Sequence, residues 1–566
     1  MKKLIYILLS LILVLNISSC NDISNFLDKA PGVDVTEDTI FSSKVQLETF
    51  IAGTYYYGVL SDLPMWDARD KSDCSTDAAT DEAEIAMPWY WTQGWNTASM
   101  NATNTLDRRF STFWLAIRRT NIILDKIDNA PFDDDQYKKQ VRGEAKFIRA
   151  YNYFQLFEKY GGVPILDHLF SLSENLRIPR SSIEDVVNFI VKDCNDAIAD
   201  LPTVYPTSLR GRVTNIAAMA LKSRTLLYAA SKTFNTATPY LDLGASNKLI
   251  CYTNYDVNRW KLAADAAKEV LDAAQKAGVS LITDQGVAKN YQYAWEIDDN
   301  NEIILAEKSK EACWVWHFPW GQSIPQSCGG FGGGMNATFN FVKLYEKKDG
   351  TPQTWDMNGG VDLMKKYNEL DPRFAQTITY QGQAWNKNNP ILDMSVNGRD
   401  AGITGTYAHK PVPYAVSSEM GVIPNGIIFR LAEFYLNYAE ALNEYNTTPP
   451  AEAYDAVNTI RQRSGMPSLP SNLSQTEFRN RVRNERTIEL AFEGHRLYDI
   501  RRWEIAVDGI MSGNMYGVKI NKIAQSSEYQ YTPFVFEQRT FKTPMYRYPF
   551  PQGEIDKGYL IQNPGW

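Results

Sequence analysis

Residues 484–503 read NERTIELAFEGHRLYDIRRW. Glu485, Arg486, Glu489, Glu493, Arg496, Asp499, Arg501 and Arg502 are set there among Ile488, Leu490, Ala491, Phe492, Leu497, Tyr498, Ile500 and Trp503. On a helix, Glu489 and Glu493 stand one turn apart and Arg496 follows three residues later, so carboxylates and a guanidinium share one stripe. Two chemistries suit such a stripe: an acid/base or anion site, and an ion-pair network that locks the helix to its neighbours. Charges among bulky apolar groups are tolerated only when paired. Glu485, Glu489, Glu493, Arg496, Asp499 and Arg502 are therefore read as structural, as is His495 beside Glu493.

Helical periodicity continues outward from this stretch. Phe147, Ala150, Phe154 and Phe157 recur at three or four residues within 140–160, and Gly161-Gly162 with Pro164 ends that helix. Ser182 and Asp185 form a capping box for a helix running toward Ala199. Thr214 opens the next, which carries Ala217, Ala220, Leu221 and Leu227 on one side. Trp260–Ala274 is alanine-rich and periodic. Ile428, Leu431, Tyr435, Tyr438, Ala439 and Leu442 mark another helix, 453–463 a further one, and Ser474 with Glu477 caps the helix that enters the opening stretch. The helices fall into adjacent pairs with short links and small residues at the contacts, the manner of tetratricopeptide-like repeats. The fold class expected is mainly α, a helix-pair scaffold with a loop-rich region bearing short strands.

The N-terminus addresses the compartment. Lys2 and Lys3 precede an apolar run from Leu4 to Leu15, too short to span a bilayer and suited to a signal peptide over 1–19. Ile17-Ser18-Ser19-Cys20 resembles a bacterial lipobox, which implies cleavage before Cys20 and acylation of that residue; several acyl chains together anchor stably. The formal net charge of −8 argues against nucleic acid as a partner. Cys74, Cys194, Cys251, Cys313 and Cys328 are odd in number and form no disulfide framework. Cys313 and Cys328 flank one segment and could pair; buried thiols are the plainer reading.

Two regions break the helical pattern. Residues 62–112 are rich in Trp, Asp, Thr and Asn; residues 297–425 are rich in Gly, Asn, Pro and aromatics, with strand-like runs at 302–306 and 376–380. Long irregular stretches inside a compact body are functional or disordered, and this much Trp opposes disorder. The first holds Trp89, Trp91 and Trp95 with Gln93 and Asn96, and the second holds Trp314, Trp316 and Trp320. Flat aromatic faces pack on the C–H faces of sugar rings, while amides and carboxylates meet the hydroxyls. These nine-residue-scale clusters are the candidate ligand site, with Asp73 and Asp77 beside the first. Alternation in W-x-W would set Trp89 and Trp91 on one face of an extended strand, a pattern that a buried strand would show equally.

Catalytic and cofactor signatures are sparse. His168, His317, His409 and His495 make no metal-ligand spacing, and no G-x-S-x-G elbow occurs. The glycine run 329–334 lacks the Lys-Ser/Thr of a phosphate loop. The acidic turn 296–302 does not match the EF-hand register, which leaves a solvated turn as its reading. No cofactor or metal is expected.

Further motifs carry a resemblance. Phe26-Leu27-Asp28, Gly143-Glu144-Ala145 with Phe147-Ile148-Arg149-Ala150, Tyr160-Gly161-Gly162-Val163-Pro164, Gly211-Arg212-Val213-Thr214, Asp371-Pro372-Arg373-Phe374 and Arg430-Leu431-Ala432-Glu433 with Asn437-Tyr438-Ala439-Glu440-Ala441 occur in order. Tyr548-Pro549-Phe550-Pro551 and Gln562-Asn563-Pro564-Gly565-Trp566 follow near the end. Together with the opening stretch, these resemble the SusD/RagB family of surface nutrient-binding lipoproteins. The resemblance implies an N-terminal helical region over 20–296 and a C-terminal region over 297–566, whose helices occupy 427–503. It further implies an outer-membrane, surface-exposed lipoprotein anchored through Cys20, a glycan or less often a peptide as ligand, a SusC-like TonB-dependent transporter as partner, and no catalysis.

Overall fold

In the computed structural model, the structure describes residues 37–61, 76–171, 173–308, 324–330, 334–385, 391–410, 412, 414–416, 420–422 and 425–566. Cys20, Cys74, Asp73, Cys313, Trp314, Trp316 and Trp320 lie outside the described residues.

Ten helices carry the scaffold among the described residues: α1 (Lys44–Gly58), α2 (Phe110–Lys126), α3 (Asp135–Tyr160), α4 (Ile183–Asp200), α5 (Asn215–Ala230), α6 (Asn258–Ala277), α7 (Leu431–Tyr445), α8 (Ala451–Arg463), α9 (Gln475–Glu489) and α10 (Arg496–Arg502). From α1 to α8 each packs on the next, giving four successive pairs, and α9 closes on α7. Between α6 and α7 the described residues of 278–430 form short strands and helical turns before α7 resumes the stack against α6.

Local chemistry explains the helix ends. The Asp134 and Thr214 side chains accept the first free N–H groups of α3 and α5, and full capping boxes at Ser182–Asp185 and Ser474–Glu477 start α4 and α9. Gly161 stops α3 at φ +82°, and a Cβ on Gly162 would stand 2.1 Å from the Ser181 carbonyl oxygen, so only glycine fits this corner. Small residues let helices approach: Ala263, Ala264 and Ala441 share a cluster with Leu227, Ala230 and Trp260 between α5, α6 and α7.

The strands are short and paired two by two. β1 (Ala83–Ile85) pairs antiparallel with β3 (Met335–Ala337), β2 (Ile303–Lys308) with β6 (Asn425–Arg430), and β4 (Ile378–Thr379) with β5 (Tyr407–Ala408). A longer hairpin joins β7 (Gly513–Lys522) to β8 (Tyr529–Arg539). Ile428, expected on a helix, instead belongs to β6. Its strand finds a partner in β2, a pairing more than a hundred residues away that periodicity within one segment does not reveal. Residues 374–377 form a helical turn, so the strand-like run at 376–380 is reduced to β4.

The main core does not respect the division at 296/297. Phe147, Phe154, Phe157 and Tyr160 of α3 share it with Phe429, Phe434, Leu497, Tyr548 and Phe550. The chain's end is tied in as well. Buried Arg180 donates to Gly162 O (2.7 Å), Ile561 O (2.8 Å) and Asn563 Oδ1 (3.0 Å), while Asn563 Nδ2 donates to Tyr160 O (3.1 Å). A second core gathers the inserted loops around Phe339, Phe341, Tyr367, Phe374 and Trp385. Cys194, Cys251 and Cys328 are buried thiols. Among the described residues, no helix is long and apolar enough to cross a membrane.

Candidate functional site

The opening sequence stretch forms the end of α9, a tight turn and α10, and its charges are buried. Glu489 accepts from Arg430 Nη1 (2.7 Å), Arg373 Nη1 (3.0 Å) and Arg463. Glu493 accepts from Arg430 Nε (2.8 Å) and Nη2 (2.7 Å) and from Lys410. Glu485 pairs with Arg373 (2.6 Å) and Arg461 (2.9 Å), Arg496 with Asp81 (2.8 Å), and Asp499 with Arg486 (2.6 Å) and Arg502 (2.8 Å). Arg502 also forks onto Glu440 at 2.6 and 2.7 Å. Burial alone would raise these carboxyls, but the guanidiniums win. Glu489 and Glu493 are held below the ordinary carboxylate range, and Glu440 falls to about 2. His495 is kept neutral by burial among Arg224, Arg486, Arg430 and Lys410. With Glu493 engaged by Arg430 and Lys410, no His–Glu dyad offers a proton to solvent. Glu302, part of the acidic turn expected to be solvated, is instead buried and pairs with Arg430 (3.0 Å) and Arg463 (3.1 Å).

The Trp-rich segment is built differently. Residues 87–92 run through consecutive turns, with Tyr90 N donating to Met87 O (3.1 Å), Gln93 N to Tyr90 O (3.0 Å) and Gly94 N to Trp91 O (3.0 Å), before a single helical turn at Gln93–Asn96. The extended W-x-W strand is therefore not formed, and the two rings part. Trp89 projects into solvent, 77 % exposed, whereas Trp91 lies half-buried against the main core, its indole Nε1 enclosed and without a partner among the described residues. Trp95 and Asn96 present no surface to solvent. Trp95 packs edge-on against Tyr548 with ring centroids 5.1 Å apart, and Arg501 lies 5.6 Å from its ring. Gln93 and Asn96 turn inward and donate to Glu84, Asn96 Nδ2 at 2.9 Å.

Glu84 on β1 thus holds both ends of that helical turn, and Arg539 at the end of β8 meets the same carboxylate. Arg539 also donates to the Thr80 and Ala83 carbonyls, and Thr540 N donates to Asn96 O (2.9 Å). Burial pushes the Glu84 carboxyl up to about 8 against the pull of Arg539, with Glu537 adding to the rise. Nearby, Asp77 in the turn Thr76–Ala79 is buried, not part of an open polar loop, and rises to about 6; Glu82 rises further, first through burial and then through Asp77. Sequence reasoning missed Glu84 and Arg539. No local signal links two residues 455 positions apart. Among the described residues, no group of His, Cys, Asp or Glu is arranged to hold a metal ion.

Chemically, the segment offers one exposed indole on turns that lead into a helical turn held by Glu84 and Thr540. It can supply a flat, rigid apolar face to a ligand from solvent.

The family model described as the SusD family matches residues 281–566. A second model, described as starch-binding associating with outer membrane, matches residues 25–227. The SusD-like protein P25 of Formosa agariphila is 22% identical over 524 residues, covering 88% of this chain and 90% of its own. A SusD-like protein of Bacteroides ovatus is 22% identical over 508 residues, covering 86% of this chain and 80% of its own. Among solved structures, a SusD-like protein from Bacteroides fragilis superposes with a TM-score of 0.77 at 26% identity, over 95% of this chain and 100% of that one. A laminarin-binding SusD-like protein shares the fold with a TM-score of 0.58 at 21% identity, over 93% of this chain and 100% of that one.

Proposed function

The chain belongs to the SusD family, and from that premise we propose that it binds oligosaccharide at the cell surface, without catalysis, and delivers it to a TonB-dependent outer-membrane transporter. The mature protein is held to the outer membrane by acyl chains on Cys20. The observation that carries the reading is Trp89: a large indole left 77 % exposed on the turns that lead directly into the helical turn Gln93–Asn96, which Glu84 and Thr540 hold in place. An exposed aromatic on a mobile tip loses ordering entropy when it meets a ligand, and a pinned one loses less. Half-buried Trp91 stands two residues from Trp89, and Trp314, Trp316, Trp320 and Asp73, outside the described residues, are proposed as further ligand residues from the sequence.

The association of one family model with starch and the outer membrane, and the laminarin-binding neighbour, support a glycan over other ligands. Calorimetry against a polysaccharide panel, with Trp89→Ala and Trp316→Ala beside the wild type, tests the site. Binding is expected in the wild type and weakened in both variants; unchanged affinity in both would sink the assignment. Incubation with the bound glycan is expected to release no shorter products, and release of sugars would make the protein a hydrolase. Binding of peptides in place of every glycan would move it to the peptide-binding members of the family.

A further inference from the structure

A second surface has the composition of a ligand site and lies away from the Trp-rich turn. Between α6, α7 and α8 runs an open cleft of about 1050 Å³, and a neighbouring hollow of about 620 Å³ shares Lys268 and Asp272 with it. Its floor is the face of α7 that presents Tyr435 and Tyr438, both half-buried and therefore fixed in place. One wall is α6, with the Lys268–Asp272 pair and Gln275. The other is α8, with Glu452, Asp455, Thr459 and Gln462 at spacings of three and four residues. From Glu452 to Arg463 the wall extends roughly 16 Å at the helical rise.

Three observations mark this cleft as more than the seam between repeats. Glu452 and Asp455 are exposed and form no ion pair among the described residues, so their oxygens are available as acceptors. At the inner end Arg463, only 4 % exposed, gives Nη1 to Glu302 at 3.1 Å and Nη2 to Glu489, while its Nε has no partner among the described residues. A buried guanidinium N–H without an acceptor is costly and asks for one. The floor pairs two tyrosines, each with an apolar ring and a polar edge.

We infer that this cleft is a second glycan-binding site, taking a neutral oligosaccharide whose ring faces rest on Tyr435 and Tyr438 and whose hydroxyls meet the carboxylates and amide of the walls. The inference rests on the glycan-binding reading of the protein. Neutral sugar is favoured over an acidic one because Lys268 is already engaged by Asp272, leaving Glu452 and Asp455 to repel anions. Leu271, Val279, Leu281 and Val287 also line the cleft, but its α8 wall presents Glu452, Asp455, Thr459 and Gln462, where a helix-in-groove contact needs a row of apolar anchors. Two sites on one molecule would let it hold a polysaccharide at two points, raising the effective concentration at each.

The test is carbodiimide labelling of the full-length protein, read by mass spectrometry at Glu452 and Asp455. The probes are maltoheptaose, laminariheptaose, cellohexaose, xylohexaose and, separately, oligolysine. With a glycan that binds, labelling of both residues is expected to fall in the wild type and equally in Trp89→Ala. Asp455→Ala/Gln462→Ala, exposed changes that leave the core intact, should weaken the binding that survives in Trp89→Ala about tenfold. Glycan binding at the Trp-rich turn with unchanged labelling at Glu452 and Asp455 overturns this inference and leaves the function standing. Protection by oligolysine alone overturns it in favour of a basic peptide. No binding by any glycan overturns the function itself, and this site with it.

Discussion

The ion-pair seam of α9 and α10 and the anchor beneath the Trp-rich turn use the same residue types to opposite effect. In the seam, Glu489 is met by three arginines and is held ionised. Under the turn, Glu84 has one arginine, two amides and a second carboxylate nearby, and its proton is held to about 8. Burial is comparable, so the number of guanidiniums decides the charge state. The seam joins α7, α8 and α9 to the inserted loops, which makes it a fixture of the whole fold. The anchor fixes one helical turn, Gln93–Asn96, which directly follows the turns that carry the exposed indole.

The sharpest way to break this comparison is to remove one member of the seam. Glu489→Ala leaves Arg373, Arg430 and Arg463 facing one another without their shared acceptor, and the expected loss is about 3–5 kcal/mol in urea unfolding. A loss below about 1 kcal/mol, the range of an exposed pair, would show that the seam is not a fixture.

Acid probes the same seam in the wild type. Carboxyls with depressed values stabilise the fold above their unfolded value of 4.5 and lose that contribution as pH falls toward about 2, where Glu440 titrates. The urea midpoint should therefore decline from about pH 5 downward. A flat profile over that interval would show that these pairs contribute no net stability.

The anchor has the reverse sign. A carboxyl whose folded value is raised stabilises most below its unfolded value, and the contribution disappears as pH rises through the folded one: about 6 for Asp77 and about 8 for Glu84. Stability from these two groups should fall by at least on the order of 1 kcal/mol between about pH 5 and 8, the upper half of that interval belonging to Glu84. Glu84→Gln, which cannot ionise, should flatten the upper part of that fall in the same urea titration; an unaltered slope would exclude Glu84 as its source.

The smallest effect on stability is expected at the indole itself. Trp89→Ala should change the unfolding free energy by no more than about 0.5 kcal/mol, as an exposed residue outside the core, while glycan affinity falls. A large stability loss would mean that Trp89 packs within the fold and is not held out for a ligand.

What the sequence revealed follows the range of each interaction. The capping boxes at Ser182 and Ser474 and the stop at Gly161 act over a few residues and were readable directly. The charges of 484–503 were equally visible, and their pairing could be inferred because the apolar residues among them imply burial. Their partners could not: Arg373, Arg430, Arg463 and Glu302 come from other segments. The same limit explains Ile428, drawn into β6 by a distant strand. At the candidate site the density of Trp singled out the segment but not which of its rings faces outward. That depends on the turns at 87–93, and the W-x-W spacing is silent about them.

The bonds of Arg180 to Ile561 and Asn563 carry a consequence for how the protein is made. Arg180 lies in the N-terminal third of the chain, and its Nε and Nη2 are met by the Gly162, Tyr160 and Leu249 carbonyls, whereas Nη1 finds its acceptor at Ile561, 381 positions later. The early helix pairs can assemble as the chain emerges, but one N–H of this buried cation waits for residues 561–563. A chain cut before Ile561 would retain every helix of the scaffold and leave that N–H without its acceptor, a defect that favours the unfolded population on which proteases act.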